Sequence, residues 1–254
     1  MIEDIELNAG EKLKFQDSES IDDRFLKDWT ALFARCYHVK EERALQIFQK
    51  YQINPARFAA LYIDEKLVAC YSGLKLDSSI GPVFLSTDTM SDGSRRKASV
   101  LLGEELYQRL AAEGVQAVVG YPNEKIIHLR EKHLNWKLHG SLFLYFSLPL
   151  FWRLGYNRKL EEEELLWTLK RPEVGYFSKI PPFTRLVSRG KAMGQGIGCA
   201  LTLSAKSPGP FFFKIPEKLV APKKFGFRVL SDKILEPELL RITEFLDLET
   251  IDVP

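Results

Sequence analysis

The segment from Ile80 to Trp136 constrains the fold most, because it reads in order as strand, basic turn, helix, strand and helix. Val83 to Met90 is an apolar run with several β-branched residues, bounded by Gly81-Pro82 before it and Ser91-Asp92-Gly93-Ser94 after it. Three cations follow, Arg95-Arg96-Lys97, and then an amphipathic run that places Leu102, Leu106 and Leu110 on one face. Gly114 suits a helix C-terminus, and Val115 to Tyr121 reads as a second strand. Together these make a βαβ crossover, whose right-handed form sets the helix N-terminus beside the carboxyl end of the first strand. A ligand is expected there.

Cations before a helix oppose its dipole, at roughly 0.3–1 kcal/mol each. A bound anion on the exposed backbone N–H groups would reverse that sign. Two readings therefore stand: three side chains extended into water, or a phosphate site.

The chain has 254 residues, of which 45% are hydrophobic and 28% charged, with a net charge of +2. That composition is of an ordinary globular protein with ample core, and it argues against a whole-chain nucleic-acid binder. Cys36, Cys70 and Cys199 are far apart and lie in apolar surroundings. Buried free thiols, a reducing cytoplasm and no metal site are the expectation. The start, Met1-Ile2-Glu3-Asp4, is acidic where a secretory signal is basic. The longest apolar run, Leu142 to Trp152, is broken by Ser147 and Pro149. It falls short of the roughly 20 residues that span a bilayer, so no integral membrane segment is expected.

Upstream, Ile5 to Phe15 suits an opening strand or a hairpin around Asn8-Ala9-Gly10, and Ser20-Ile21-Asp22-Asp23 offers caps for a helix with Phe25, Trp29, Leu32, Phe33 and Cys36 on one stripe. A second helix runs from Glu41 to about Tyr51 and must stop before Asn54-Pro55. Phe58 to Ile63 and Leu67 to Leu74 pair across Asp64-Glu65-Lys66. Leu142 to Leu148 gives a further strand. The charged stretch from Gly155 to Glu164 suits a boundary, beyond which Pro and Gly become frequent before a last helix from Glu238 to about Leu246. The fold class is mixed α/β, with a central sheet flanked by helices over 1–153 and a sheet-rich extension over 154–254. A weak echo between Ile47 to Pro55 and Leu165 to Pro172 allows that extension to be a degenerate second half.

Asn54-Pro55, Asp88-Thr89-Met90, the turn from Ser91 to Ser99, and Gly120-Tyr121-Pro122-Asn123, taken with this order of elements, resemble a subgroup of the GNAT superfamily of acyl-CoA-dependent N-acyltransferases. The resemblance covers residues 24–148, about half of the chain. Leu134-Asn135-Trp136 sits where the superfamily has Leu-Gly-Phe.

The resemblance implies a pyrophosphate-binding turn of the form Gln/Arg-x-x-Gly-x-Gly/Ala. Arg95 takes its first position, Ala98 that of the first glycine, and Val100 that of the last. It implies acetyl-CoA as co-substrate, held by Thr89, Met90, Ser91, Arg95, Arg96, Lys97, Ala98, Ser99 and Asn123. It also implies a strand carboxylate, Asp88, as the base that accepts the ammonium proton. The alternative for Asp88 is a structural carboxylate bonded to its neighbours. The tyrosine that protonates the leaving thiolate in many relatives corresponds here to Glu131, and His128, His133 and Tyr145 are candidate replacements, with Tyr145 taken as the acid. Asn123 is also expected to cap the helix that follows.

A second Gly-rich stretch, Gln195-Gly196-Ile197-Gly198-Cys199-Ala200, matches the same turn pattern literally. Ala200 to Ala205 alternates like a strand and Pro208 stops any helix, so it reads as a strand turn. The expected activity is transfer of an acyl group, most simply acetyl, from coenzyme A to a small-molecule primary amine, with an amino sugar as one acceptor. The alternative is a non-catalytic binding or scaffold module on the same fold.

Overall fold

The computed structural model describes residues 3–8, 10–77, 81–147, 185–188, 191–192, 200–204, 213–218 and 223–231. It is a mixed α/β structure with one large sheet and helices on both faces. A hairpin, β1 (Glu3–Asn8) and β2 (Glu11–Asp17), opens the chain. Helices α1 (Asp23–Tyr37) and α2 (Glu41–Ile53) follow, then β3 (Ala56–Ile63), β4 (Lys66–Leu76), β5 (Val83–Ser91), α3 (Ala98–Ala112), β6 (Ala117–Gly120), α4 (Glu124–Leu134) and β7 (Lys137–Ser147). Five more strands are described beyond it: β8 (Arg185–Ser188), β9 (Lys191–Ala192), β10 (Ala200–Ser204), β11 (Phe213–Lys214) and β12 (Lys223–Val229).

Local chemistry sets the helix ends. The Asp22 carboxylate accepts from the Phe25 N–H at 2.6 Å and caps α1. That backbone hydrogen bond holds the Asp22 carboxyl below its usual value. Asn123 caps α4 in the same way, accepting from Ile126 N–H at 3.2 Å. α2 stops at Asn54, whose backbone is extended ahead of Pro55 and whose side chain donates to the Lys50 carbonyl at 2.8 Å.

Strands β2 to β5 are sequential antiparallel neighbours, and β5 pairs in parallel with β6 across the α3 crossover. The sheet then takes a strand from far along the chain. β12 lies antiparallel between β6 and β7, with Gly226 opposite both Gly120 and Leu138. The stretch beyond residue 153 thus supplies a strand to the same sheet. β7 also pairs with β10 and β11. The charged connector near 155–164, the 165–172 half of the echo and the helix expected near 238–246 fall outside the described residues.

Two cores sandwich the sheet. One joins α1 and α2 to its first face through Phe25, Trp29, Phe48, Tyr51 and Phe58, whose rings meet mostly edge to face. The other packs Leu102, Leu106, Leu110 and Leu134 of α3 and α4 against Tyr71, Phe84 and Val118 on the second face. Each fully buried Leu or Phe contributes about 1.5–3 kcal/mol. No helix among the described residues is long and apolar enough to cross a membrane.

Candidate functional site

The site begins where two parallel strands part. β5 and β6 pair from Val83–Ala117 to Ser86–Gly120 and no further, while β5 continues to Ser91 on β4 alone. The last rung is tight: a Cβ on Gly120 would lie 2.8 Å from the Ser86 carbonyl oxygen. One residue later β5 bulges. Tyr71 faces Thr89 and Gly73 faces Ser86, so Ser72 alone opposes both Thr87 and Asp88. A bulge breaks the alternation of side chains, and two consecutive residues reach the same face.

That face is the one covered by α2. The Tyr51 hydroxyl lies 2.6 Å from Thr87 Oγ1 and also donates to Asp88 Oδ2. Lys50 Nζ stands 3.0 Å from the same carboxylate oxygen. Ser72 at the bulge accepts from Trp29 Nε1 at 3.1 Å, which ties α1 to the same point. Asp88 is 3% exposed, and Lys50 supplies its counter-charge. Cys70, on this face, bonds to Ser72, and burial pushes its thiol up to about 12.

On the opposite face stands Arg130, 2% exposed, projecting from α4. Its Nη2 donates to Ser86 Oγ at 2.8 Å and to Thr89 Oγ1 at 3.0 Å. Its guanidinium lies 4.3 Å from the ring centre of Trp136 and 5.4 Å from that of Tyr71. Ser86 donates onward to the Tyr71 hydroxyl at 3.0 Å, which meets the Tyr107 hydroxyl at 2.5 Å, and Trp136 Nε1 donates to Tyr107 at 2.9 Å. Arg130 therefore heads a buried chain of neutral groups, and among the described residues its Nε and Nη1 meet no hydrogen-bond acceptor.

Beyond β5 the basic turn is ordered by its own side chains. Asp92 accepts from Ser94 N–H at 3.0 Å and from its hydroxyl at 2.6 Å. Arg95 bonds to the Arg96 carbonyl at 3.2 Å and stands 3.6 Å from Glu11 on β2, so it is partly engaged. Arg96 and Lys97 are exposed. Lys97 takes a left-handed conformation, φ 58°, at the N-terminus of α3. Successive right- and left-handed residues converge their N–H groups into an anion-binding hollow. Among the described residues no acceptor faces the backbone N–H groups of Arg96, Lys97 or Ser99.

The residues singled out from sequence are thus placed as follows. Asp88 and Thr89 occupy opposite faces of the bulged strand, and Ser91 to Ser99 form the turn at its end. Met90 is buried under α1 and α2, and Ser91 is exposed with its hydroxyl bonded by Gly93 N–H. Ala98 is buried as the first residue of α3, in ordinary helical backbone, and Val100 packs in the second core. Asn123 is an exposed helix cap. His128 is 89% exposed, within 4.0 Å of Glu131, which is exposed too; His133 is half-buried. The backbone of Tyr145 lies in β7 opposite Thr202, beyond the β12 rungs and toward the same end of the sheet as Asp88. Its side chain lies outside the described residues, as do Gln195 to Cys199.

Arg130 is the group that sequence reading passed over. Its signal was present: Ile127, Arg130 and Leu134 are the buried positions of α4, at helical spacing. A charge on an apolar stripe marks a side chain with a task inside.

No protein family and no curated protein matches this chain. Solved structures resemble it at low identity. An acetyltransferase candidate from Pyrococcus horikoshii shares 10% identity at a TM-score of 0.44, over 57% of this chain and 50% of that one. A GCN5-related N-acetyltransferase from Anabaena variabilis shares 13% at 0.41, over 53% and 34%. An acetyltransferase from Streptococcus agalactiae shares 17% at 0.41, over 52% and 85%. The chain spans about half the length of the first and a third of the second.

Proposed function

We propose that this protein transfers an acyl group, most simply acetyl, from coenzyme A to a primary amine of a small molecule, in the cytoplasm. The observation that carries this reading is the parting of β5 from β6 after Ser86, upstream of a turn where, among the described residues, the N–H groups of Arg96, Lys97 and Ser99 meet no acceptor and Arg96 and Lys97 are exposed. An unpaired strand edge accepts an extended chain that carries amides. The pantetheine arm of coenzyme A is such a chain, and its diphosphate belongs at the N-terminus of α3. This reading assigns Thr89, Ser91, Arg95, Arg96, Lys97, Ala98 and Ser99 to that path, with Met90 as buried support and Asn123, the cap of α4, as a further contact.

In the reaction the amine nitrogen attacks the thioester carbonyl carbon. The C–N bond forms, the C–S bond breaks, sulfur leaves as thiolate, and one proton leaves the amine. Asp88 at the bulge is the base of this reading, directly or through water, and Tyr145 is the acid that returns a proton to sulfur. The subgroup resemblance adds an amino sugar as acceptor.

A specific observation favours the second reading, a non-catalytic binding module. Asp88 is bonded to Tyr51 and paired with Lys50, which suits a structural carboxylate as well as a base. Calorimetry with acetyl-CoA, followed by amine-dependent thiol release, separates the two. Binding with turnover supports acyl transfer, binding without turnover supports the module, and absence of binding at millimolar thioester overturns acyl transfer and leaves a module for another ligand.

A further inference from the structure

We propose that Arg130 is the recognition site for a carboxylate carried by the substrate. The inference rests on the acyl-transfer reading above and adds the substrate class.

A guanidinium has five N–H donors and no way to become neutral. Nη2 of Arg130 serves two acceptors, the hydroxyls of Ser86 and Thr89, and the three donors on Nε and Nη1 serve none. Among the described residues no carboxylate comes within ion-pairing distance. A cation buried to this degree is strongly destabilising unless paired, and ring faces such as those of Trp136 and Tyr71 offset part of that penalty. A charge kept there without a partner points to one that arrives from outside.

The position says which anion. Arg130 bridges Ser86, the last residue of β5 to pair with β6, and Thr89, three residues further along the unpaired edge. It is thus anchored to the stretch of β5 that has no β6 partner, and not to the exposed turn that suits a phosphate. Its planar fork, with ring faces 4.3 and 5.4 Å away, suits a small planar carboxylate. That carboxylate is either the far end of the acyl group or a group on the amine acceptor.

Titration of the full chain with succinyl-CoA and acetyl-CoA, and kinetics with an α-amino acid against its amide, distinguish these sources. The expected result is a preference of about tenfold or more for the carboxylate in one of the two pairs. Arg130→Met should level that preference, bringing the ratio within each pair to within about threefold of unity. Arg130→Lys, which keeps the charge without the planar fork, should retain a reduced preference if Arg130→Met fails to fold. Equal behaviour of both pairs in a protein that binds acetyl-CoA overturns the carboxylate site and leaves acyl transfer standing. If neither thioester binds, acyl transfer falls, and a thermal-shift comparison of succinate with succinamide decides the site. Stabilisation by succinate alone, lost in Arg130→Met, upholds it; no stabilisation overturns it.

Discussion

Thr89 Oγ1 accepts a hydrogen bond of 3.0 Å from Arg130 Nη2 on one face of β5, while its neighbour Asp88 meets Lys50 Nζ at 3.0 Å on the other. The bulge is therefore gripped by opposite helices.

Asp88→Asn removes the ion pair between Asp88 and the Lys50 ammonium. Breaking a buried pair from one side typically costs about 3–5 kcal/mol; because Lys50 is partly exposed, urea denaturation should show a loss near about 3 kcal/mol. If Asp88 is the base, amine-dependent thiol release falls by about 10²-fold or more. An unchanged rate assigns the carboxylate to structure alone.

The turn separates charge from backbone shape. Lys97→Gly relieves the left-handed strain, so the ligand-free protein should gain about 1 kcal/mol in denaturant titration. Arg96→Glu with Lys97→Glu should weaken acetyl-CoA by about tenfold or more in calorimetry. Equal affinities in all three proteins would remove the diphosphate from this turn.

Glu113, at the C-terminal cap of α3, links three elements. Arg57 grips it with two bonds of 3.0 and 2.9 Å, and Lys75 adds one of 3.1 Å. Burial pushes this carboxyl up, but Arg57 and Lys75 outweigh burial and hold it below its usual value. Its folded value thus lies under the unfolded one of about 4.3, and its contribution is complete above that pH and is lost as pH falls toward the lower folded value. Glu113→Gln should flatten this part of the acid limb in melting temperature measured against pH.

Gly120→Ala tests the last rung. The new methyl meets the Ser86 carbonyl at 2.8 Å, a backbone atom that cannot turn aside. Equilibrium unfolding should show a loss of about 1–3 kcal/mol. A neutral substitution would mean that the strands part earlier than Ser86.

Local chemistry made much of this fold legible in the sequence. The polar caps Asp22 and Asn123, the Asn54-Pro55 stop and the crossover around Leu102, Leu106 and Leu110 all follow from short-range rules, and each stands as expected. The strand expected over Val115 to Tyr121 is shorter, Ala117–Gly120, and the one expected from Leu142 begins earlier, at Lys137. Strand ends depend on which neighbours extend alongside, and those are set at long range.

The site was less legible for the same reason. Ser86 to Thr89 is a polar run inside a buried strand, yet nothing local says that Ser72 alone opposes two of its members. The left-handed turn is carried by Lys97 where glycine is the usual signal. A motif comparison directed attention to Glu131, which faces solvent, while the adjacent Arg130 turns inward. One residue along a helix is about 100° of rotation, enough to exchange surface for core.

The place of β12 between β6 and β7 also sets an order in time. About 100 residues separate Gly120 from the strand that pairs with it, so at 5–20 residues per second a ribosome needs roughly 5–20 s to deliver the partner. Throughout that interval the edge of β6 is unprotected, and an open edge recruits other strands. A chain cut at residue 153 stays in that state for good, and it should aggregate during synthesis where the full chain, once β12 has emerged, does not.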